Sequence, residues 1–222
     1  MIKPYQVFIG CPFAKDIRSP YDHLKREIEA NTPLSMVLAD TVGISSSDYL
    51  LEHITELIRD SAGCIFDTTG ANPNVSLEIG IAHTVPVDFI LAVKTRKPRN
   101  PKPDIDGTTR EIRSIISDLQ GKNRIEYKAY EALKTQLESR YLSRLPYMKR
   151  WKNFKSENKE MAPYALQIFA DLRSSGRTTR ARVIASVEGS GFSATDVLNA
   201  LTSHKLVSVK RGRVGGIFYP PK

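Results

Sequence analysis

Residues 63–83 read GCIFDTTGANPNVSLEIGIAH, and the folding of this stretch decides the architecture of the chain. An apolar run over 63–67 gives way to a turn rich in Thr, Gly, Asn and Pro. A helical segment then starts, with one acid, Glu78, between Leu77 and Ile79. The pattern predicts strand, loop and helix. In a parallel α/β sheet such a crossing puts the loop and the first helical turns at the carboxyl ends of the strands, where ligands bind. Glu78 is therefore the first candidate for chemistry. The bland alternative is an ordinary surface acid near a helix N-terminus, favoured there by the helix dipole. Against it, Val75, Leu77, Ile79 and Ile81 leave that segment little solvated face.

The same alternation extends outward on both sides. Residues 6–10 (QVFIG) predict a buried first strand ended by Gly, Cys and Pro. Ser19 and Pro20 predict the cap and first turn of a helix running to residue 30, with Leu24 and Ile28 on one face. A second strand is expected at 34–39, and 45–48 (SSSD) would cap a helix whose buried stripe is Leu50, Leu51, Ile54, Leu57 and Ile58. Residues 73–83 form the third helix and 88–93 (DFILAV) the fourth strand. The proline- and base-rich 94–104 reads as a loop, 117–127 as a turn and fifth strand, and 130–145 as a helix. Strands alternating with helices predict a parallel sheet covered on both faces.

Composition narrows the function classes. The 222 residues, 41% of them apolar, suffice for a large core. The N-terminus lacks a charged segment followed by an apolar one, and no run approaches the ~18 apolar residues of a membrane span. A cytoplasmic protein with no membrane contact is expected. Cys11 and Cys64 are read as reduced thiols, and no metal site is expected from so few ligands. The net charge of +9 is unevenly placed: residues 1–93 carry 6 basic against 12 acidic side chains, 94–161 carry 18 against 9, and 162–222 carry 9 against 3. An acidic first part with a basic remainder suggests two jobs, the second able to meet an anionic partner.

The division expected is a domain over 1–145, a basic linker or exposed helix over 146–161, and a small α+β domain over 162–222. In the last part, helices over 164–172 and 179–187 and a third capped by Ser193 precede two alternating runs around RGRVGG, a hairpin signal. Three helices and a basic hairpin resemble a winged helix-turn-helix. That resemblance puts Thr195, Asn199, Ser203 and His204 on the exposed side of a recognition helix and Lys210, Arg211 and Arg213 on the wing, as candidate DNA contacts. Winged helices also serve as protein contacts, and a solvated surface would carry the same residues.

The motif FDTTGANPNVSLEIGIAH resembles the signature of the TIR-like and nucleoside 2-deoxyribosyltransferase-like superfamily. In that signature a strand ends in Asp, a Gly/Asn/Pro loop follows, and a helix opens with an acid before a Gly. GCPF after the first strand resembles its ligand-contacting first loop, and SDLQGKNRIEY its closing segment. The resemblance spans about residues 5–145 and implies a flavodoxin-like sheet of five parallel strands. It also implies that Glu78 is the carboxylate that stabilises or attacks the sugar cation formed when an N-glycosidic bond breaks. By the same resemblance Gly10, Cys11, Pro12, Phe13, Asp67, Asn72 and Asn74 contact the nucleotide. Phe13 would stack on a base or else join the core. Asp67 would orient the loop, meet a ribose hydroxyl or simply cap a turn, and Asn72 would also cap the third helix. His83 reads as a structural helix-end residue.

Two departures matter. The deoxyribosyltransferases tend to have an Asp near Asn72, and an aromatic pair where this chain has Ser76 and Leu77. NPNV is closer to the TIR-like nucleotide-binding branch, for which NAD is the expected substrate and no cofactor is needed. Two functions follow from the resemblance. One is hydrolysis of NAD or a related nucleotide, coupled to the winged helix as in an oligomeric antiphage effector. The other is nucleotide sensing without cleavage, with DNA binding as output.

Overall fold

The computed structural model describes residues 3–39, 47–95, 124–210 and 216–220, with the backbone alone at 47–49. Five strands, β1 (Lys3–Gly10), β2 (Ser35–Leu38), β3 (Ser61–Asp67), β4 (Phe89–Lys94) and β5 (Arg124–Tyr127), form a parallel sheet in the order β2-β1-β3-β4-β5. This is the flavodoxin-like order. It reverses direction between β1 and β3, and ligands in such sheets bind outside the strand ends at that reversal.

The central strands are continuous apolar runs because both faces are covered. Val7, Ile9, Ile65, Ile90 and Ala92 face α1 (Lys15–Asn31) and α4 (Tyr130–Arg140), which contribute Ile17, Tyr21, Leu24, Ile28, Leu133 and Leu137. Phe8, Cys64, Phe66, Phe89 and Leu91 alternate to the other face. They meet α2 (Ser47–Asp60) through Leu57 and Ile58, and α3 (Pro73–Thr84) through Val75, Ile79 and Ala82. Only the last turns of α2 reach this core, so Leu50 and Leu51 are exposed, against the expected stripe. Of the expected cap for α2 at 45–48, only the backbone of 47 and 48 is described, inside the helix itself, and the turn at 117–123 lies outside the described residues.

The helix expected to open at Ser19 opens four residues earlier, at Lys15, and Pro20 lies inside it. An internal proline leaves the carbonyl four residues back without its helical donor. Here that carbonyl belongs to Asp16, and Lys94 Nζ, from the end of β4, donates to it at 2.7 Å. A side chain distant in sequence supplies the bond that the local pattern lacks.

Residues 146–161 are folded, contrary to the linker expectation. They form α5 (Pro146–Glu157) and a short 3-10 turn, Lys159–Met161. Tyr147, Trp151 and Phe154, at helical spacing, are buried in the same core as the sheet. Then come α6 (Ala162–Ser175), α7 (Arg180–Val187) capped by Thr179, and α8 (Ala194–Ser203), whose Ser193–Asp196 capping box closes its first turn. An antiparallel hairpin of β6 (Ser208–Lys210) and β7 (Gly216–Phe218) follows, and Thr178 bridges to Ile217.

These C-terminal elements are pinned to the sheet. Tyr219 stacks on Tyr5 of β1 with ring centroids 3.4 Å apart. Arg173 of α6 donates to the carbonyls of Glu29 (2.6 Å), Thr32 (3.3 Å) and Leu34 (3.4 Å), so a cation satisfies the end of α1. Arg173→Met keeps the stem but leaves those carbonyls short of donors. We expect a loss of about 2 kcal/mol in urea unfolding; an unchanged midpoint would show that water replaces the guanidinium.

Candidate functional site

The site is built where the strand order reverses. Gly10 ends β1 and pairs in register with Phe66, one residue before the end of β3. Beyond Asp67 the chain turns through Gly70 and Ala71, both with positive φ (72° and 57°), and enters α3. Asn72 caps that helix as expected: its side chain accepts from the backbone N–H of Asn74 at 2.9 Å and of Val75 at 3.3 Å, and Pro73 occupies the first turn. The helix is apolar on nearly all sides, which lets it press its second turn inward. That turn carries Glu78.

Glu78 is 6% exposed, and its Oε2 has no hydrogen-bond partner among the described residues. A Cβ added to Gly10 would stand 2.0 Å from that oxygen and 2.8 Å from Phe66 Cδ1. The carboxylate thus rests on the bare backbone of Gly10, in a space that any side chain there would fill. Burial pushes the Glu78 carboxyl up to about 8, because the charged form loses its water and, among the described residues, nothing donates to Oε2 in its place. Unpaired buried carboxylates are costly and uncommon in a folded core. Such a group at the ligand-binding edge of a sheet is a candidate catalytic residue. Burial, with the Glu78 charge second, also pushes up the Cys64 thiol, so Cys64 packs as a neutral side chain. Cys11 and Cys64 are both buried thiols, and neither is in a disulfide.

The remaining sequence-derived site residues separate by environment. Cys11 and Pro12 are buried beyond Gly10, whereas Phe13 is 59% exposed and therefore not part of the core. An exposed ring three residues past Gly10 can lie against a ligand plane. Asn74 is exposed at the start of α3, with its N–H used by the Asn72 cap. The ribose-hydroxyl reading of Asp67 is corrected. Its carboxylate is wholly buried and occupied, with Oδ2 accepting from Tyr21 (2.9 Å) and Tyr127 (2.5 Å) and Oδ1 from the N–H of Thr69 (2.9 Å). Asp67 holds the turn that leads to Asn72 and ties α1 and β5 to β3. His83 sits edge-on to Phe89, a packing role.

Sequence reasoning missed Tyr21 and Tyr127. Tyr21 shares helical spacing with Ile17, Leu24 and Ile28 and reads there as another core residue, so nothing in the pattern marks its hydroxyl. Asp67→Asn would offer an amide where two hydroxyls donate. We expect a cost of about 2–3 kcal/mol by urea unfolding; a change within ~0.5 kcal/mol would mean the hydroxyls reorient freely.

The candidate DNA contacts are placed unequally. Thr195, Asn199 and Ser203 are exposed on α8, with Arg180 donating to Thr195 Oγ1 at 2.7 Å. Thr195, Asn199 and Lys210 line, with Arg180, Leu198 and Ile217, a groove of about 550 Å³ between the helices and the hairpin. Lys210 is exposed, its Nζ 5.4 Å from the Phe218 ring centre. His204 is corrected: it packs edge-on against Phe154, with Nδ1 2.9 Å from the Ala200 carbonyl and Nε2 3.1 Å from Glu157. It fastens the end of α8 to α5 and does not present its ring outward. Arg211 and Arg213 lie outside the described residues.

No family model and no curated protein matches the sequence. Among solved structures, the chain is similar in fold to a 2-desoxiribosyltransferase from Leishmania mexicana, at 12% identity and a TM-score of 0.48 over 63% of this chain and 100% of that one. It is also similar to a 2-deoxyribosyltransferase from Bacillus psychrosaccharolyticus, at 10% identity and a TM-score of 0.40 over 58% and 90%. The TIR domains of the activated Roq1 resistosome match at 12% identity and a TM-score of 0.35 over 90% and 98%. At these values the strand order and register carry the fold assignment, and the roles of side chains rest on their own geometry. No helix among the described residues is long and apolar enough to cross a membrane.

Proposed function

We propose that the chain is an N-glycoside hydrolase acting on NAD or a related nucleotide, with Glu78 as its catalytic carboxylate. One observation carries the reading: a buried, unpartnered carboxyl stands against bare backbone at the reversal point of a parallel sheet. A carboxyl held protonated to about pH 8 ionises when a cation arrives beside it, since opposite charge lowers a carboxyl pKa. The nicotinamide end of NAD supplies that cation, because its ring nitrogen is positively charged while bonded to ribose. As the carbon–nitrogen bond breaks, the electron pair returns to the ring and neutral nicotinamide leaves. Positive charge moves to the sugar, where ionised Glu78 stabilises it. Water then adds to the anomeric carbon and releases a proton. A neutral nucleoside offers no charge to ionise the carboxyl, which favours a pyridinium substrate.

The test is incubation of the purified chain with NAD, following free nicotinamide by chromatography, beside a neutral nucleoside. Release from NAD with at least ~100-fold preference over the nucleoside is the expected outcome. Intact NAD at high protein concentration, with and without duplex DNA, would refute it.

The second reading is a nucleotide sensor whose output is DNA binding. It is supported by the groove holding Arg180, Thr195, Asn199 and Lys210. With the three helices α6–α8 and the hairpin, we read this region as a winged helix, its groove facing DNA. Under this reading NAD is bound but intact, and nucleotide changes duplex affinity. The two readings share the Glu78 pocket and part over whether nicotinamide appears.

A further inference from the structure

We propose that the exposed face of α5, with Lys205 beside it, is a docking surface for the phosphate backbone of a nucleic-acid duplex. It is distinct from the groove lined by Thr195 and Asn199. The helix is two-sided: Tyr147, Trp151 and Phe154 are buried in the core, while Lys149, Lys152 and Lys155 are exposed. Among the described residues no carboxylate pairs with these three lysines, and the one acid of the helix, Glu157, faces His204 at 3.1 Å. Arg150 extends the row, its Nη1 donating to the Lys205 carbonyl at 3.4 Å, and Lys205 is itself exposed in a left-handed turn with φ 55°.

Like charges three and four residues apart repel, so this row costs helix stability unless an anion meets it. From Lys149 to Lys155 the helix advances about 9 Å. That spans two to three phosphates of one strand at about 3.4 Å each along the axis. A lipid surface fits less well, because interfacial helices insert an apolar face and the apolar side of α5 is spent in the core. The surface stands whether or not Glu78 hydrolyses NAD, since no residue is shared.

The experiment measures binding of the full chain to short fluorescent duplexes of two unrelated sequences by anisotropy, over a range of salt. K149Q/K152Q/K155Q is expected to bind both duplexes about tenfold or more weakly and to lower the salt slope by about 2–3, one released counterion for each lost contact. The triple Lys→Arg variant should bind as the wild type does, and all variants should melt together. Three results overturn the proposal: an unchanged affinity and slope in the Gln variant; loss of binding only in R180Q/K210Q, which would leave the groove as the sole contact; or wild-type binding to phosphatidylserine vesicles but to neither duplex.

Discussion

Glu78→Gln is expected to abolish nicotinamide release and, above about pH 6, to make the folded chain more stable than the wild type. Both effects come from one group. The Glu78 carboxyl titrates at about 8 in the fold against 4.5 for an ordinary Glu. Below pH 4.5 both states are protonated and the wild type has its full stability. Between 4.5 and 8 the unfolded chain loses this proton while the folded chain keeps it. Stability therefore falls as pH rises, by about 1.4 kcal/mol per unit, until it flattens above the folded value. The total is on the order of 4 kcal/mol. Gln cannot ionise and removes that slope, though its buried amide lacks partners and costs about 1–3 kcal/mol in return. A net gain of roughly 2 kcal/mol at pH 8, reversing to a net loss of about 1–3 kcal/mol at pH 4, is the signature to seek by urea unfolding across pH.

Catalysis moves the other way. Without the charge beside the sugar, turnover should drop by ~10³-fold or more. Wild-type kcat/KM should climb with pH and level off near 8, because the free enzyme must give up the Glu78 proton. A wild-type stability curve flat from pH 5 to 8, or a Gln variant that still releases nicotinamide, would remove Glu78 from the chemistry.

Gly10→Ala is the second large effect. Its methyl group would meet Glu78 Oε2 at 2.0 Å and Phe66 Cδ1 at 2.8 Å, on a strand end already paired to β3. Neither distance is tolerable, so the carboxylate must swing away or the strands must part. We expect a loss of about 3 kcal/mol or more from overpacking, with nicotinamide release reduced as far as in Glu78→Gln. A double-mutant cycle identifies the cause. Combined with Glu78→Ala, which vacates the space, Gly10→Ala should recover at least ~1 kcal/mol. Combined with Glu78→Gln, which fills the same volume, it should recover none. Wild-type stability and activity in Gly10→Ala would show that Glu78 does not rest on this backbone.

Strands β1, β3 and β4 were legible because burial on both faces writes them as short apolar runs, and the helices between them because their apolar residues recur at helical spacing. The aromatic stripe of α5 was equally present in the sequence, but its surrounding lysines read as linker composition. Pro20 misled for a different reason: the helix tolerates it only because Lys94 reaches Asp16 from another strand. Asp67 read as a strand-end acid with three uses. Two tyrosines, 46 and 60 residues away, fill one oxygen and leave it the structural use.

By itself, then, the sequence determined the strand–loop–helix crossing at 63–83, the alternation around it, and Glu78 as the acid inside it, since periodicity and capping act over a few residues. The tertiary structure alone decided the state of that acid. The unpartnered state of its Oε2 among the described residues, its raised pKa and its seat on Gly10 arise from packing α3 against the ends of β1 and β3, and those are distances between residues far apart in the chain.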